Sequence, residues 1–140
     1  LVGSEMCIRD RLDSLPTAED FCRLREVSGL SPKSLAAARI GLPNSVLGVC
    51  VTTGGRTVGM GRVIGDGATV FQIVDIAVEP GHQGQGLGKA IMARIMTRLK
   101  ELAPGAYVSL IADGEARHLY AQYGFAPVAP ASIGMATLLP

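Results

Sequence analysis

The chain has no tryptophan, three tyrosines and three phenylalanines in 140 residues. So few rings argue against a stacking platform for bases. Charge gives no case for nucleic acid either: the formal net charge is +1, and an electrostatic footprint needs clustered basic residues. Histidine is scarce, with only His82 and His118, and they are not spaced i, i+4 on one helix face. The three cysteines, Cys7, Cys22 and Cys50, contain no C-x-x-C pair. Neither a zinc site nor a disulfide framework is indicated, and no metal is expected. No apolar run approaches the roughly 20 residues of a membrane helix, and no secretory signal is visible. The expectation is a cytoplasmic protein with no membrane and no nucleic-acid partner.

What is abundant is apolar surface and glycine. Apolar residues make up 48% of the chain and glycine occurs 18 times. A chain of this length suits a single domain with a real core. The opening LVGSEMCIRDR does not fit the rest of the chain. It is similar to a peptide produced when sequencing adapter is translated, so residues 1–11 are expected to be non-native or fragmentary. They can still occupy the place of a first strand. Residues 12–140 are read as the domain.

Thr17 followed by acidic Glu19 and Asp20 reads as a capped helix start, stopped at Gly29. Ser31-Pro32 reads as a second start, running to Gly41 with Pro43 beyond. Three strand-like runs come next, SVLGVCVTT, TVGMGRVIG and ATVFQIVDIAV. Gly54-Gly55 and Asp66-Gly67 between them signal hairpins, giving an antiparallel meander. The period then changes. Leu87, Ile91, Ile95, Leu99 and Leu102 recur every three or four residues, the stripe of an amphipathic helix ended by Pro104-Gly105. AYVSLIA reads as a short buried strand. Asp113 can cap a last helix, with Ala116, Leu119, Tyr120 and Tyr123 on one stripe, and the tail after Gly124 reads as one or two short strands. Hairpins before a β-α-β unit favour an α/β (α+β) fold, a mixed sheet with helices on its faces.

Between the third strand and the long helix stands VEPGHQGQGLGKA, with Gly81, Gly84, Gly86 and Gly88 inside eight positions. The dinucleotide fingerprint G-x-G-x-x-G fails: counted from Gly84 or Gly86, its last position falls on Lys89 or Ile91. The P-loop also fails, because Gln83 and Ala90 stand where Gly and Ser/Thr are required. A strand, a glycine-rich loop and a helix start remain. Small residues let successive N–H groups converge, and the helix N-terminus adds partial positive charge, which suits a phosphate or diphosphate. Lys89 can add a cation. The plainer reading is a glycine turn that begins a helix and binds nothing.

Gln83-Gly84-Gln85-Gly86-Leu87-Gly88 resembles Q/R-x-x-G-x-G/A, the acyl-coenzyme A signature of the GCN-five-related N-acetyltransferase (GNAT) superfamily. DIAVEPGHQ is similar to that family's fourth strand and its exit, and ARHLYAQYGF to its late helix and Gly-Phe turn. The resemblance covers residues 57–125, and the two helices within 17–41 fit the family's first two. It implies a mostly antiparallel, twisted mixed sheet with helices on both faces, in which the strand before the loop bulges and splays from its parallel neighbour. It also implies that acetyl-coenzyme A is co-substrate. Its pantetheine arm would lie against main chain of Ile76, Ala77 and Val78, and its pyrophosphate on backbone amides from Gln83 through Gly84, Gln85, Gly86, Leu87 and Gly88 to Lys89.

The same resemblance makes Tyr120 the acid that protonates the departing thiolate, while the N–H of Val78 can polarise the acyl carbonyl. On pattern alone Tyr120 is a packing residue of its stripe, and Ile76 to Val78 a buried strand. The general base stays open. Gln72 stands where some members carry glutamate, and Asp75, Glu79 and Asp113 each read as solvated or capping carboxylates. Arg117 and His118 read as surface, Cys50, Met92 and Met96 as packing. The implied function is acetyl transfer to a primary amine by direct attack. A non-catalytic acyl-coenzyme A-binding module is the alternative, and an interaction domain that binds no coenzyme A a third. The acceptor wall is assigned to residues 28–45 and 126–136, with Lys33 and Arg39 as its charges. This suggests a small amine; a homodimer is compatible with the family.

Overall fold

The meander is built as its turns dictate. In the computed structural model, which describes residues 10–140, β2 (Leu47–Thr53), β3 (Arg56–Gly65) and β4 (Val70–Val78) pair antiparallel in sequence. Gly54 and Gly55 take φ of 55° and 78°, the left-handed pair that a tight two-residue hairpin needs. At the next turn the Thr69 hydroxyl and the N–H groups of Ala68, Thr69 and Val70 converge on Asp66, holding its carboxyl far below the usual range. β1 (Asp10–Leu12) pairs antiparallel with β2, and β5 (Tyr107–Leu110) pairs parallel with β4. The sheet order is β1-β2-β3-β4-β5. Asp10 and Arg11, the end of the foreign-looking segment, thus lie in the first strand. Cys7 lies outside the described residues.

Helix α1 (Ala18–Val27) starts where expected, with the Thr17 hydroxyl accepting from Asp20 N–H at 3.1 Å. Helix α2 (Leu35–Gly41) does not. Its cap is Ser34, which accepts from Ala37 N–H, rather than Ser31. Ser31 is committed elsewhere: its carbonyl and hydroxyl both accept from Arg25, at 2.8 and 2.9 Å. Gly41 is the last helical residue, not a cap beyond the end, because the chain continues into a 3-10 turn over Leu42–Asn44. Helix α3 spans Leu87–Leu102 and helix α4 spans Ala116–Ala121. Asp113 places its backbone carbonyl, not its carboxylate, at the start of α4. The tail forms no strand. Pro127 and Pro130 lack the N–H that a ladder needs, and Ser132 N–H bonds locally to Val128.

Two apolar layers hold the sheet. On one face Leu87, Ile91, Met92, Ile95 and Leu99 of α3 pack on Val49, Val51, Val58, Val63, Phe71 and Ile73. Leu102, in the last turn, is half exposed. On the other face Phe21 and Leu24 of α1, with Ala38 and Leu42, cover Met60 and Ala77. Helices therefore lie on both faces. Cys50 is buried, and burial pushes its thiol up to about 11, so it behaves as an inert core residue. Among the described residues no helix is long and apolar enough to cross a membrane, and no three metal-ligating side chains cluster.

One irregularity governs the centre. Met60 faces Ala77 and Arg62 faces Val74, so Asp75 and Ile76 together oppose Gly61. This is a β-bulge, and Asp75 takes a left-handed φ of 58°. The extra residue changes the strand's phase. Asp75 turns to the α1 face, where its carboxylate accepts from Arg25 Nη1 and Arg62 Nε. The side chains of Asp75 and Arg25 are only 7% and 9% exposed. Both guanidinium groups also lie over the Phe21 ring, at 5.8 and 5.7 Å from its centroid. On the opposite face Ile76 fills the space that Gly61 leaves.

Both halves of the bulge are open to test. A Cβ added at Gly61 would stand 2.6 Å from Ile76 Cδ1 and 2.7 Å from Ile91 Cγ2. Gly61→Ala should therefore cost about 1–3 kcal/mol through overpacking, read as a lowered urea midpoint at unchanged slope. An unaltered midpoint would mean that the bulge has room to spare. Asp75→Asn leaves two buried guanidinium groups without their carboxylate. It should cost about 3–5 kcal/mol, and a loss below about 1 kcal/mol would show that the pairing is not a structural pin.

Candidate active site

The bulge marks the point where β4 and β5 part. Their parallel register runs from Val70–Tyr107 to Ile73–Leu110 and stops there, while β4 continues to Val78. The stretch from Val74 to Val78 thus has no strand partner on its β5 side among the described residues. Glu79 N–H donates to Val58 O at 2.8 Å, on the β3 side. In an antiparallel ladder successive residues turn their peptide groups to opposite sides. The groups of Val78 and Ile76 therefore face the gap, and those of Ala77 face β3. The Ala77 side chain is buried under α1.

The gap leads to the glycine loop. After a 3-10 turn over Pro80–His82, Gly84 and Gly86 take φ of 76° and 80°. A Cβ on either would meet no atom within 4 Å. Internal packing thus does not demand glycine here; backbone conformation does, and the space outside is left clear. Gly86 is the N-cap of α3 and, having no side chain, makes no capping hydrogen bond, so the first N–H groups of the helix have no partner from their cap residue. Gln83 braces the loop, its Nε2 donating to Val78 O at 3.0 Å. Gln85 is exposed and Leu87 buried, so Leu87 can offer a ligand only its N–H. Gly88 lies against Leu119. Lys89 is exposed, and its carbonyl accepts the Tyr123 hydroxyl at 2.8 Å, which ties α4 to the start of α3. His82 Nδ1 is buried without a hydrogen-bond partner among the described residues.

Beside the gap is a cleft of about 400 Å³. Gln72, Val74 and Ile76 form its floor, Leu110, Asp113 and Tyr120 one wall, and Arg25, Leu30, Lys33 and Arg62 the other. Tyr120 is half-buried, and burial, then the charge of Asp113, raises its phenol above the ordinary tyrosine value. Arg117 and His118 point to solvent, as their helical phase implies.

Two of the three carboxylates differ from the sequence reading. Asp75 is neither solvated nor a cap: it is buried between two arginines. Glu79 bonds to Arg23 at 2.6 Å and Arg56 at 3.1 Å. Burial would raise its pKa, but both arginines outweigh that and hold it below the usual carboxylate range. Asp113 alone of the three is exposed, and it lines the cleft. The expected acceptor wall is narrower than residues 28–45 and 126–136: only Leu30 and Lys33 of those segments line the cleft. Arg39 pairs with Glu19 away from it. Sequence pattern alone did not single out Arg25 and Arg62. One signal was there for Arg25, which falls four residues after Phe21 on the apolar stripe of α1.

Comparison with known proteins agrees with this architecture. A family model for the acetyltransferase (GNAT) domain matches residues 27–134. A histone acetyltransferase of Glycine max is 39% identical over 70 residues, 50% of this chain and 30% of the relative. A chloroplastic serotonin N-acetyltransferase of Oryza sativa subsp. japonica is 35% identical over 85 residues, 61% of this chain and 42% of the relative. The chain thus matches less than half the length of either. Among solved structures, a protein of unknown function from meticillin-resistant Staphylococcus aureus, described as a probable acetyltransferase, shares 48% identity. It aligns over 94% of this chain and 100% of its own, with a TM-score of 0.90. With the model match spanning most of its length, the chain belongs to the GNAT acetyltransferase domain family.

Proposed function

We propose that this chain moves an acetyl group from acetyl-coenzyme A to a primary amine of a small acceptor in the cytoplasm, by direct attack within the cleft. The observation that carries the reading is the open β4–β5 gap, which runs from the cleft to the uncapped, glycine-lined start of α3.

The residues present fit the co-substrate. The peptide group of Ile76 and the N–H of Val78 face the gap, the Val78 carbonyl already accepting from Gln83, and can pair with an extended amide-bearing arm as a strand would. The N–H groups from Gly84 to Lys89 and the helix N-terminus suit a diphosphate. The exposed ammonium of Lys89 adds charge there. Bound acetyl-coenzyme A supplies the activated acyl group as a thioester. The Val78 N–H, turned to the gap, can polarise a carbonyl beside it. Tyr120 holds a proton at Oη within the cleft, and its raised pKa keeps that proton in place at neutral pH. It is thereby available to a departing thiolate. Asp75 and Glu79 are each engaged by two arginines. Asp113, with no cationic partner among the described residues, draws an ammonium into the cleft. That ammonium loses one proton to solvent before the free amine attacks, and the proton the nitrogen sheds on forming the amide replaces the one that Tyr120 gives to the thiolate. A second reading, a module that binds acyl-coenzyme A without turnover, is favoured by Gln72, which lines the cleft and cannot act as a base.

Calorimetric titration with acetyl-coenzyme A, followed by thiol release over an amine panel, separates the two. Binding lost in Gly86→Glu locates the diphosphate on the loop, because a carboxylate there repels it and strains the left-handed backbone. Turnover with a kcat lower by about 10²-fold or more in Tyr120→Phe, at little changed KM for acetyl-coenzyme A, supports the acid role. Binding without turnover of any amine supports the module instead. The pH profile has a fixed sign. The active form of Tyr120 is protonated and its pKa is raised, so its ionisation should limit the rate only above about pH 10. An alkaline limb in the wild type that falls below pH 9 and vanishes in Tyr120→Phe would contradict this environment.

A further inference from the structure

The cleft is electrically two-sided. One wall carries Arg25, Arg62 and Lys33; the other carries Asp113 beside Tyr120. Asp75 lies between the arginines, but it offers one negative charge to two guanidinium groups, with Oδ1 on Arg25 and Oδ2 on Arg62. That trio keeps one positive charge in excess, and the Lys33 ammonium, which has no partner among the described residues, adds a second. The two arginines are not equally engaged. Arg25 spends Nε and Nη2 on Ser31 and Nη1 on Asp75. Arg62 spends Nε on Asp75 and Nη1 on Ser45. Its Nη2 donates to nothing among the described residues, yet it is not one of the buried unsatisfied atoms. Phe21 beneath both guanidinium planes fixes their orientation. An arginine nitrogen and an ammonium that line one cleft can together seat an anion.

Resting on the acetyl-transfer reading above, we propose that the acceptor is an amine that also carries an anionic group. A carboxylate or phosphate is seated by Arg62 and Lys33, and the amino group lies across the cleft beside Asp113 and Tyr120. A simple monoamine is protonated at neutral pH and would meet the two uncompensated cations with nothing to offer them. A zwitterion matches both walls. Arg62 and Lys33 are then specificity residues for the acceptor, and Asp75 positions Arg62 through its Oδ2.

The test uses matched probes that differ in the anion alone: 4-aminobutyrate against butylamine, and O-phosphoethanolamine against ethanolamine. Each is titrated into the isotopically labelled 140-residue chain and followed by amide shifts; each is also assayed as acceptor with acetyl-coenzyme A. The expected result is that at least one zwitterion binds about tenfold tighter than its monoamine and shows kcat/KM higher by a similar factor, roughly one charge-assisted contact. Lys33→Glu, an exposed change, should abolish the preference, and Arg62→Gln should weaken it in a chain shown to be folded. The phosphate and carboxylate arms identify which anion the pair prefers. Monoamines that bind and react as well as their zwitterions overturn the proposal, as does failure of every zwitterion to bind. A preference unchanged in Lys33→Glu and Arg62→Gln overturns the assigned pair. Zwitterion-selective binding with no thiol release from any acceptor sinks acetyl transfer but keeps the charge selectivity. Turnover of amines without selectivity does the reverse.

Discussion

An extra residue in β4, held by a carboxylate between two arginines, sets the geometry on which both halves of the cleft depend. Up to Ile73 the strand is an ordinary member of the sheet, paired on both sides. Beyond it the bulge rotates the strand, Asp75 goes to the α1 face, and β5 no longer keeps pace. The gap that frees the peptide group of Ile76 and the N–H of Val78 opens at that point. Gly61 is the complement on β3, because only a residue without a side chain leaves room for Ile76 beneath α3. Pairing, gap and glycine are one arrangement seen from three strands.

The ionic trio reaches further than the strand it pins. Burying Asp75 and Arg25 carries a desolvation cost that apolar side chains of similar volume would avoid. Apolar side chains would not direct the chain after α1, however. Arg25 takes both the carbonyl and the hydroxyl of Ser31, which denies Ser31 to the next helix and moves its start to Ser34. The segment between is thereby drawn over the sheet, and Leu30 and Lys33 arrive at the cleft wall. A side chain on the first helix thus sets where the second begins and what the cleft presents.

Local rules account for what was legible in advance. The Thr17 cap, the two hairpins and the α3 stripe each depend on residues within a few positions of one another, and each stands where its pattern puts it. The glycine loop was legible as a structure for the same reason: Gly84 and Gly86 take the left-handed backbone that favours glycine, and α3 starts directly after them. Asp75 was not legible. A period-of-two reading of VFQIVDIAV has no place for an inserted residue, and its partners are 50 and 13 residues away in sequence. The tail misled for a different reason. Its alternation of apolar residues suits a strand, but Pro127 and Pro130 interrupt the ladder that alternation would require.

This contrast in legibility reflects a division of labour in the site. On the proposed reading the co-substrate half would rest on peptide groups, glycines and a helix end, and would be insensitive to most side-chain changes around it. On the same reading the acceptor half rests on side chains, with α1, the segment before α2 and β3 on one wall and Asp113 and Tyr120 on the other. It can be altered one residue at a time at its exposed members, Lys33 and Asp113, while Arg25 and Arg62 are tied to the bulge. Arg62 belongs to both classes, since one of its nitrogens holds Asp75 and another is left for the cleft. A change of acceptor that retained the fold would therefore begin at Lys33 and Leu30. It would reach Arg62 only if a new partner for Asp75 came with it.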